Sequence, residues 1–164
     1  MTFKGHCIFA LASIIIAKKI NFLTSLENAE WGIVVLGSLL SCHLPDIDHH
    51  KSFISRRINR FFIYPYRILK HRGFTHSIFA VILYGYLVYN TFPSEHETPY
   101  QGLQDSLIIG YISHLVADII TPAGIQLLWP YHRRFCFPLL KNKYPIVEIL
   151  FCVLFLVYSI IGVY

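Results

Sequence analysis

No two of the four cysteines, Cys7, Cys42, Cys136 and Cys152, form a C-x-x-C pair. That excludes a zinc ribbon and a thioredoxin-like motif, and it leaves the thiols to be read as small buried hydrophobes. The chain also lacks internal repeats, low-complexity tracts and any recognisable nucleic-acid module, so no nucleic-acid partner is expected. No small-residue cleavage site follows the first apolar run, where Lys18, Lys19 and Ile20 stand instead. That run is expected to stay in the mature protein.

What the chain has is apolar residues. Its 164 residues suit one domain, 1–164, and 55% of them are hydrophobic, above the roughly 45–50% of soluble domains. The excess lies in five runs, about 3–17, 31–44, 75–92, 103–121 and 145–164, which approach the ~20 residues needed to cross a bilayer. The expected fold is an all-α integral membrane bundle of about four to five transmembrane helices. The first two runs are short for an upright span. The second carries Gly32, Gly37 and Ser38, small residues that let helices approach closely.

Eleven of the fourteen basic residues fall in the connections 45–74 and 122–144, whereas 93–102 has Glu95 and Glu97 with no Lys or Arg. The positive-inside rule then puts the N-terminus and both basic connections in the cytoplasm. Lys18 and Lys19 are the contrary signal. Within the first basic connection, Ile54, Ile58, Phe61 and Phe62 share one helical stripe, with Arg56, Arg57 and Arg60 elsewhere on the wheel, until Pro65. An interfacial amphipathic helix on anionic lipid is expected there, and it accounts for the basic excess.

The chemistry-bearing residues form clusters. His114 and Asp118, spaced i, i+4, share one helical face and can bind a metal or each other. An ionisable pair inside a span is costly and turns to the bundle interior. Leu44-Pro-Asp46-Ile-Asp48-His49-His50 directs two carboxylates into a connection after Pro45 breaks the helix; paired carboxylates bind hard cations, and adjacent imidazoles favour zinc-like ions. The bland alternative is a capped acidic turn. His71-Arg-Gly-Phe-Thr75-His76-Ser77 enters the third run, with Gly73 as a turn and Thr75 as N-cap, and a helix start suits an anion. His6 lies at the start of the first run. Under the charge-based topology His6, Asp46, Asp48, His71, His76, His114 and Asp118 all fall toward cytoplasmic helix ends, which argues for one composite site. His43, Glu148 and His132 are weaker candidates, and His96 belongs to the opposite face. Arg56, Arg57, Arg72, Arg133 and Arg134 can hold an anion bidentately or contact lipid headgroups.

Together L-P-D-I-D-H-H at 44–50, H-R-G-F-T-H-S at 71–77, G-Y-I-S-H-L-V-A-D-I-I-T-P-A-G at 110–124 and Leu-Trp-Pro at 128–130 resemble the YdjM family of bacterial inner-membrane proteins. The resemblance spans roughly residues 5 to 135. It implies a multi-pass protein of the bacterial inner (cytoplasmic) membrane and a LexA-regulated, membrane-bound, metal-dependent hydrolase. The order of ligands is also similar to the helical zinc-dependent phospholipase C and P1 nuclease group. There His6, Asp46 or Asp48, His71 or His76, and His114 with Asp118 take the ligand roles in turn. That group's later His and His-x-x-x-Glu have only His132 and an isolated Glu148 as counterparts here, which argues against a three-metal centre.

The resulting expectation is a hydrolase with one or two divalent ions, zinc first and manganese or iron as alternatives. Its substrate would be a phosphoester of a phospholipid or lipid-linked molecule, attacked by metal-activated water. Asp48 or His49 would accept a proton and Arg72 would contact phosphate. The alternatives are a membrane metal-binding or transport protein without hydrolysis, and a structural protein whose His/Asp pairs tie helices together.

Overall fold

Each apolar run folds as a helix, in a computed structural model that describes residues 1–48, 73–92, 100, 102–140 and 145–162, the side chains of Ile47 and Asp48 excepted. Helix α1 (Phe3–Lys19) starts on Thr2, whose hydroxyl accepts the Gly5 N–H at 3.2 Å. The short α2 (Thr24–Glu27) and α3 (Trp31–Ser41) follow, then α4 (Ile78–Thr91), α5 (Leu103–Ile119) and α6 (Pro145–Ile161). Pro45 opens a 3-10 turn, Pro45–Asp48, rather than ending α3, which stops at Ser41. The expected cap Thr75 is displaced by Ser77, which accepts the Ala80 N–H at 3.2 Å, because Phe74–His76 forms its own 3-10 turn first. The described residues contain no strand, only an isolated antiparallel bridge between Ile125 and Phe135.

The longest of these helices have 17 residues, or about 25 Å at the α-helical rise, against a hydrocarbon core of ~30 Å. Among the described residues no helix is long and apolar enough to cross a membrane. The amphipathic helix expected at 54–62 lies outside the described residues.

Helix α5 is the centre of the bundle, packed against α1, α3 and α4, while α6 lies along α1. Small residues permit the α3–α5 contact: a methyl group on Gly110 would stand 2.8 Å from Ser38 Cα, and Gly37 faces Ser106. Gly32 has open space around it and takes no part. Polar side chains are inside, Ser38, Ser41, Ser106 and Ser113 among them, whereas Leu36, Leu40, Ile82, Leu87, Leu154 and Val157 are exposed. Buried polar side chains thus share the interior with an apolar core that includes Phe9, Ile14, Val34 and Leu115, while large apolar side chains cover much of the outside.

Lys18, which ran against the charge asymmetry, is satisfied locally. Its ammonium donates to the carbonyls of Leu26 at 2.5 Å, Glu27 at 3.2 Å and Ala29 at 2.8 Å, and lies 5.1 Å from the centre of the Trp31 ring. A cation held by carbonyls and an aromatic face carries less weight in deciding orientation than a solvated one.

Gly110→Ala is expected to destabilise the protein by about 1–3 kcal/mol, because the neighbour it meets is backbone and cannot rotate away. Gly85→Ala, on an open face of α4, should cause no loss and gain up to about 1 kcal/mol from helix propensity. Thermal unfolding in detergent measures both; equal effects would refute the close-contact account.

Candidate metal centre

His114 and Asp118 occupy one face of α5, and neither has exposed surface. An imidazole and a carboxylate so placed need partners from neighbouring helices, since water does not reach them. The chain supplies them from alternate helix ends: the start of α1 brings His6, the turn after α3 brings Asp46, and the turn before α4 brings His76. All four helix ends that meet here are the ones grouped on one side by charge.

The geometry of four donors is regular. His76 Nε2 lies 3.6 Å from Asp46 Oδ1 and 3.6 Å from Asp118 Oδ2. His114 Nε2 lies 3.7 Å from Asp46 Oδ1 and 3.9 Å from Asp118 Oδ2. Donors bound tetrahedrally at about 2.0–2.2 Å from one ion stand about 3.4 Å apart. Each of these four His–Asp separations is within a few tenths of an ångström of that value, and the donor atoms of Asp46, His76 and His114 all lie within 4.8 Å of one another, as do those of His6, His114 and Asp118. His6 approaches the other oxygen of Asp118, with Nε2 3.5 Å from Oδ1, and its ring stacks on His114 with centroids 3.8 Å apart.

The outer contacts aim the rings. His114 Nδ1 donates to the Cys42 carbonyl at 2.6 Å; a carbonyl only accepts, so the proton is on Nδ1 and the Nε2 lone pair faces the centre. That Nε2 is buried with no hydrogen-bond partner among the described residues, an arrangement costing about 1–3 kcal/mol unless a ligand meets it. His76 Nδ1 engages the Thr75 hydroxyl at 3.1 Å, and Tyr111 anchors the Thr75 carbonyl at 2.6 Å. The donor set and this lone pair fit a divalent cation. Because a neutral imidazole nitrogen has one lone pair, His114 serves one ion; Asp118, with oxygens facing two ways, is the residue able to bridge two.

Asp46 remains charged. Burial opposes its ionisation, but the 3.6 Å approach of His76 and the imidazoles of His114 and His6 hold its carboxyl well below the usual carboxylate range. The α-amino group of Met1 donates to Asp118 Oδ1 at 2.6 Å, and Glu148 accepts the Thr2 N–H, which ties the start of α6 to the same end of the bundle.

Of the residues singled out in the sequence, His6, Asp46, His76, His114 and Asp118 are thus brought together. Asp48 is described only as the last residue of its 3-10 turn, and His49, His71, Arg72, Arg56 and Arg57 lie outside the described residues, as does His96. His132, Arg133 and Arg134 are exposed on the connection after α5. Arg134 donates to the Ala123 carbonyl at 3.4 Å, so it serves the loop. Gly124, at φ 58°, lets that loop fold back, with the Ile125 N–H donating to the Phe135 carbonyl at 3.0 Å. The Leu127 carbonyl in turn accepts the Ile78 N–H at 2.9 Å, so the segment between the T-P-A-G and Leu-Trp-Pro motifs supports the start of α4. Cys42 was not anticipated as support for the centre, although its position just before the Leu-Pro-Asp motif was the available signal.

The family model described as YdjM inner membrane protein matches residues 1–164. The chain is 38% identical over 161 residues to Inner membrane protein YdjM of Escherichia coli (strain K12), covering 98% of this chain and 82% of that protein. Inner membrane protein YdjM of Shigella flexneri gives the same figures, 38% over 161 residues. Uncharacterized protein YvsG of Bacillus subtilis (strain 168) is 30% identical over 139 residues, 85% of this chain and 79% of that one. No solved structure matches.

Asp118→Asn and His114→Ala are each expected to weaken zinc binding by about 100-fold or more, and His132→Ala to leave it unchanged. Metal content of purified protein decides this. Retention of the full wild-type zinc stoichiometry by both centre variants would remove the assignment.

Proposed function

The chain belongs to the YdjM family, and from that premise we propose that it is a membrane-bound, metal-dependent hydrolase acting on a phosphoester of a lipid or lipid-linked substrate. The observation that carries the reading is the donor set of a half-buried Asp46 with the buried His76, His114 and Asp118, whose His114 ring is aimed by its contact with the Cys42 carbonyl. Zinc suits its mixed His/Asp donors, with manganese or iron as alternatives. His6 and the second oxygen of Asp118 would take a second ion in place of the Met1 ammonium that this oxygen now accepts from.

The membrane part of the proposal rests on the many large apolar side chains on the exterior, which suit lipid surroundings, and on relatives named as inner membrane proteins. Helices of this length would cross with flanking residues drawn to the interface or with local thinning of the bilayer. The charge asymmetry puts the metal end of this multi-pass bundle toward the cytoplasm. A lipid substrate is favoured by an apolar groove of about 370 Å³ between α1, α5 and α6, lined by Phe9, Ile109, Ile112, Val116 and Phe155.

When bound, the ion supplies Lewis acidity that brings the pKa of water to about 7 and neutralises charge on phosphorus oxygens. The protein's part is to hold the donors: Asp46 and Asp118 bring negative charge, His114 brings an Nε2 lone pair fixed by its Nδ1 contact, and His76 turns its Nε2 to the same place. Asp48 or His49 would accept the proton and Arg72 would hold the phosphate, roles that rest on their places in the two motifs. His71 is a further donor from the same motif.

A panel of phosphomonoester and phosphodiester lipids, assayed with zinc or manganese, tests this. Turnover is expected, abolished by chelation and lowered by about 100-fold or more in Asp46→Asn. Absence of turnover, together with zinc uptake into proteoliposomes, would favour a transporter.

A further inference from the structure

Beside the His/Asp centre is a second cluster of different chemistry. Successive residues on a helix point about 100° apart, so when α1 turns His6 into the centre it turns Cys7 to the flank. At the other side Cys42 and His43 follow directly on α3. Cys7 Sγ lies 3.2 Å from His43 Nε2, and the donor atoms of Cys7, Cys42 and His43 all lie within 4.8 Å of one another. Sulfurs bound at about 2.3 Å and a nitrogen at about 2.0 Å stand about 3.5–3.8 Å apart around one tetrahedral ion. The spacing therefore admits one with little movement.

We propose that Cys7, Cys42 and His43 form a second metal site, of two thiolates and one imidazole, for a thiophilic ion such as Zn²⁺. Three features support it. The Phe3 ring stacks on His43 at 4.1 Å between centroids and 7° between planes, which holds the imidazole in orientation. Cys42 is fully buried while Cys7 and His43 are half-buried, so the site has an inner wall and an approach. The donors are softer than the carboxylates next door, so the two sites differ in the ions they prefer.

Without an ion the thiols are protonated and make ordinary contacts, Cys42 donating to the Leu39 carbonyl at 3.2 Å. Binding of Zn²⁺ exchanges the two S–H bonds for two Zn–S bonds and releases two protons to solvent. No side-chain donor is shared with the His/Asp centre. They meet at Cys42, whose carbonyl orients His114 while its sulfur faces Cys7. A metal at the thiolate site would clamp the backbone that aims His114, which makes it a structural site in role.

Cobalt substitution of the full-length protein tests the proposal independently of any hydrolase activity. Co²⁺ should give a sulfur-to-cobalt charge-transfer band in the wild type and in His114→Ala/Asp118→Asn, whose His/Asp centre is disabled. The band should vanish in Cys7→Ser and fall, with zinc affinity lowered by about tenfold or more, in His43→Ala. Both targets are half-buried, so these variants should fold, whereas Cys42→Ser would place a hydroxyl in a fully buried position. Zn²⁺ should also slow alkylation of Cys7 but not of the exposed Cys136. A wild type without the band, a band that survives Cys7→Ser, or equal zinc protection of Cys136 would overturn the assignment.

Discussion

Asp118 has no exposed surface, and it sits in a bundle whose outside is apolar, so a charge there must be met from within. Burying an ion costs several kcal/mol even after relaxation unless good partners surround it. The Met1 amino group meets it directly at 2.6 Å, and His6 from α1, His76 from the turn before α4 and His114 one helical turn back on α5 surround it. The relative placement of α1, α4 and α5 is thereby coupled to one carboxylate. The close α3–α5 contact at Gly110 and Ser38 brings the end of α3 near enough for the Cys42 carbonyl to orient His114 and for Asp46 to complete the donor set.

The same helix ends do two jobs on adjacent residues. His6 and Cys7 are neighbours, as are Cys42 and His43, and in each pair the helical twist separates the side chains toward different surroundings. Hard and soft donors are so arranged side by side with little polar surface spent on either. The loop after α5 belongs to the same economy of support: its bridge between Ile125 and Phe135 and the Leu127–Ile78 hydrogen bond hold the start of α4, and with it His76.

Much of the helix plan was legible. The five apolar runs correspond to α1, α3, α4, α5 and α6 within a few residues, because apolar length is a strong signal that needs no tertiary information. The i, i+4 pair on α5 was legible for the same reason. The cap of α4 was not: Thr75 and Ser77 are chemically equivalent candidates, and the intervening 3-10 turn decided for Ser77. Gly32 and Gly37 likewise read alike as small residues, and only the packing of α5 chose Gly37. Lys18 appeared to oppose the orientation until three carbonyls and the Trp31 ring were found around it, contacts set by the turn through α2 that no local pattern announces.

The sequence by itself determined that this chain makes an all-α bundle, which residue types gather at one set of helix ends, and its place in the YdjM family, since apolar periodicity, charge asymmetry and ordered motifs are one-dimensional properties. Tertiary structure decided which donors face one another. Whether Asp46 meets His76, whether His114 presents Nε2 or Nδ1, and whether Cys7 stands next to Cys42 or far from it depend on helix rotation and on distances of a few ångströms between segments tens of residues apart. Spacing along a chain carries no information about those distances. Close packing at Gly110 and the burial of Asp118 supply it.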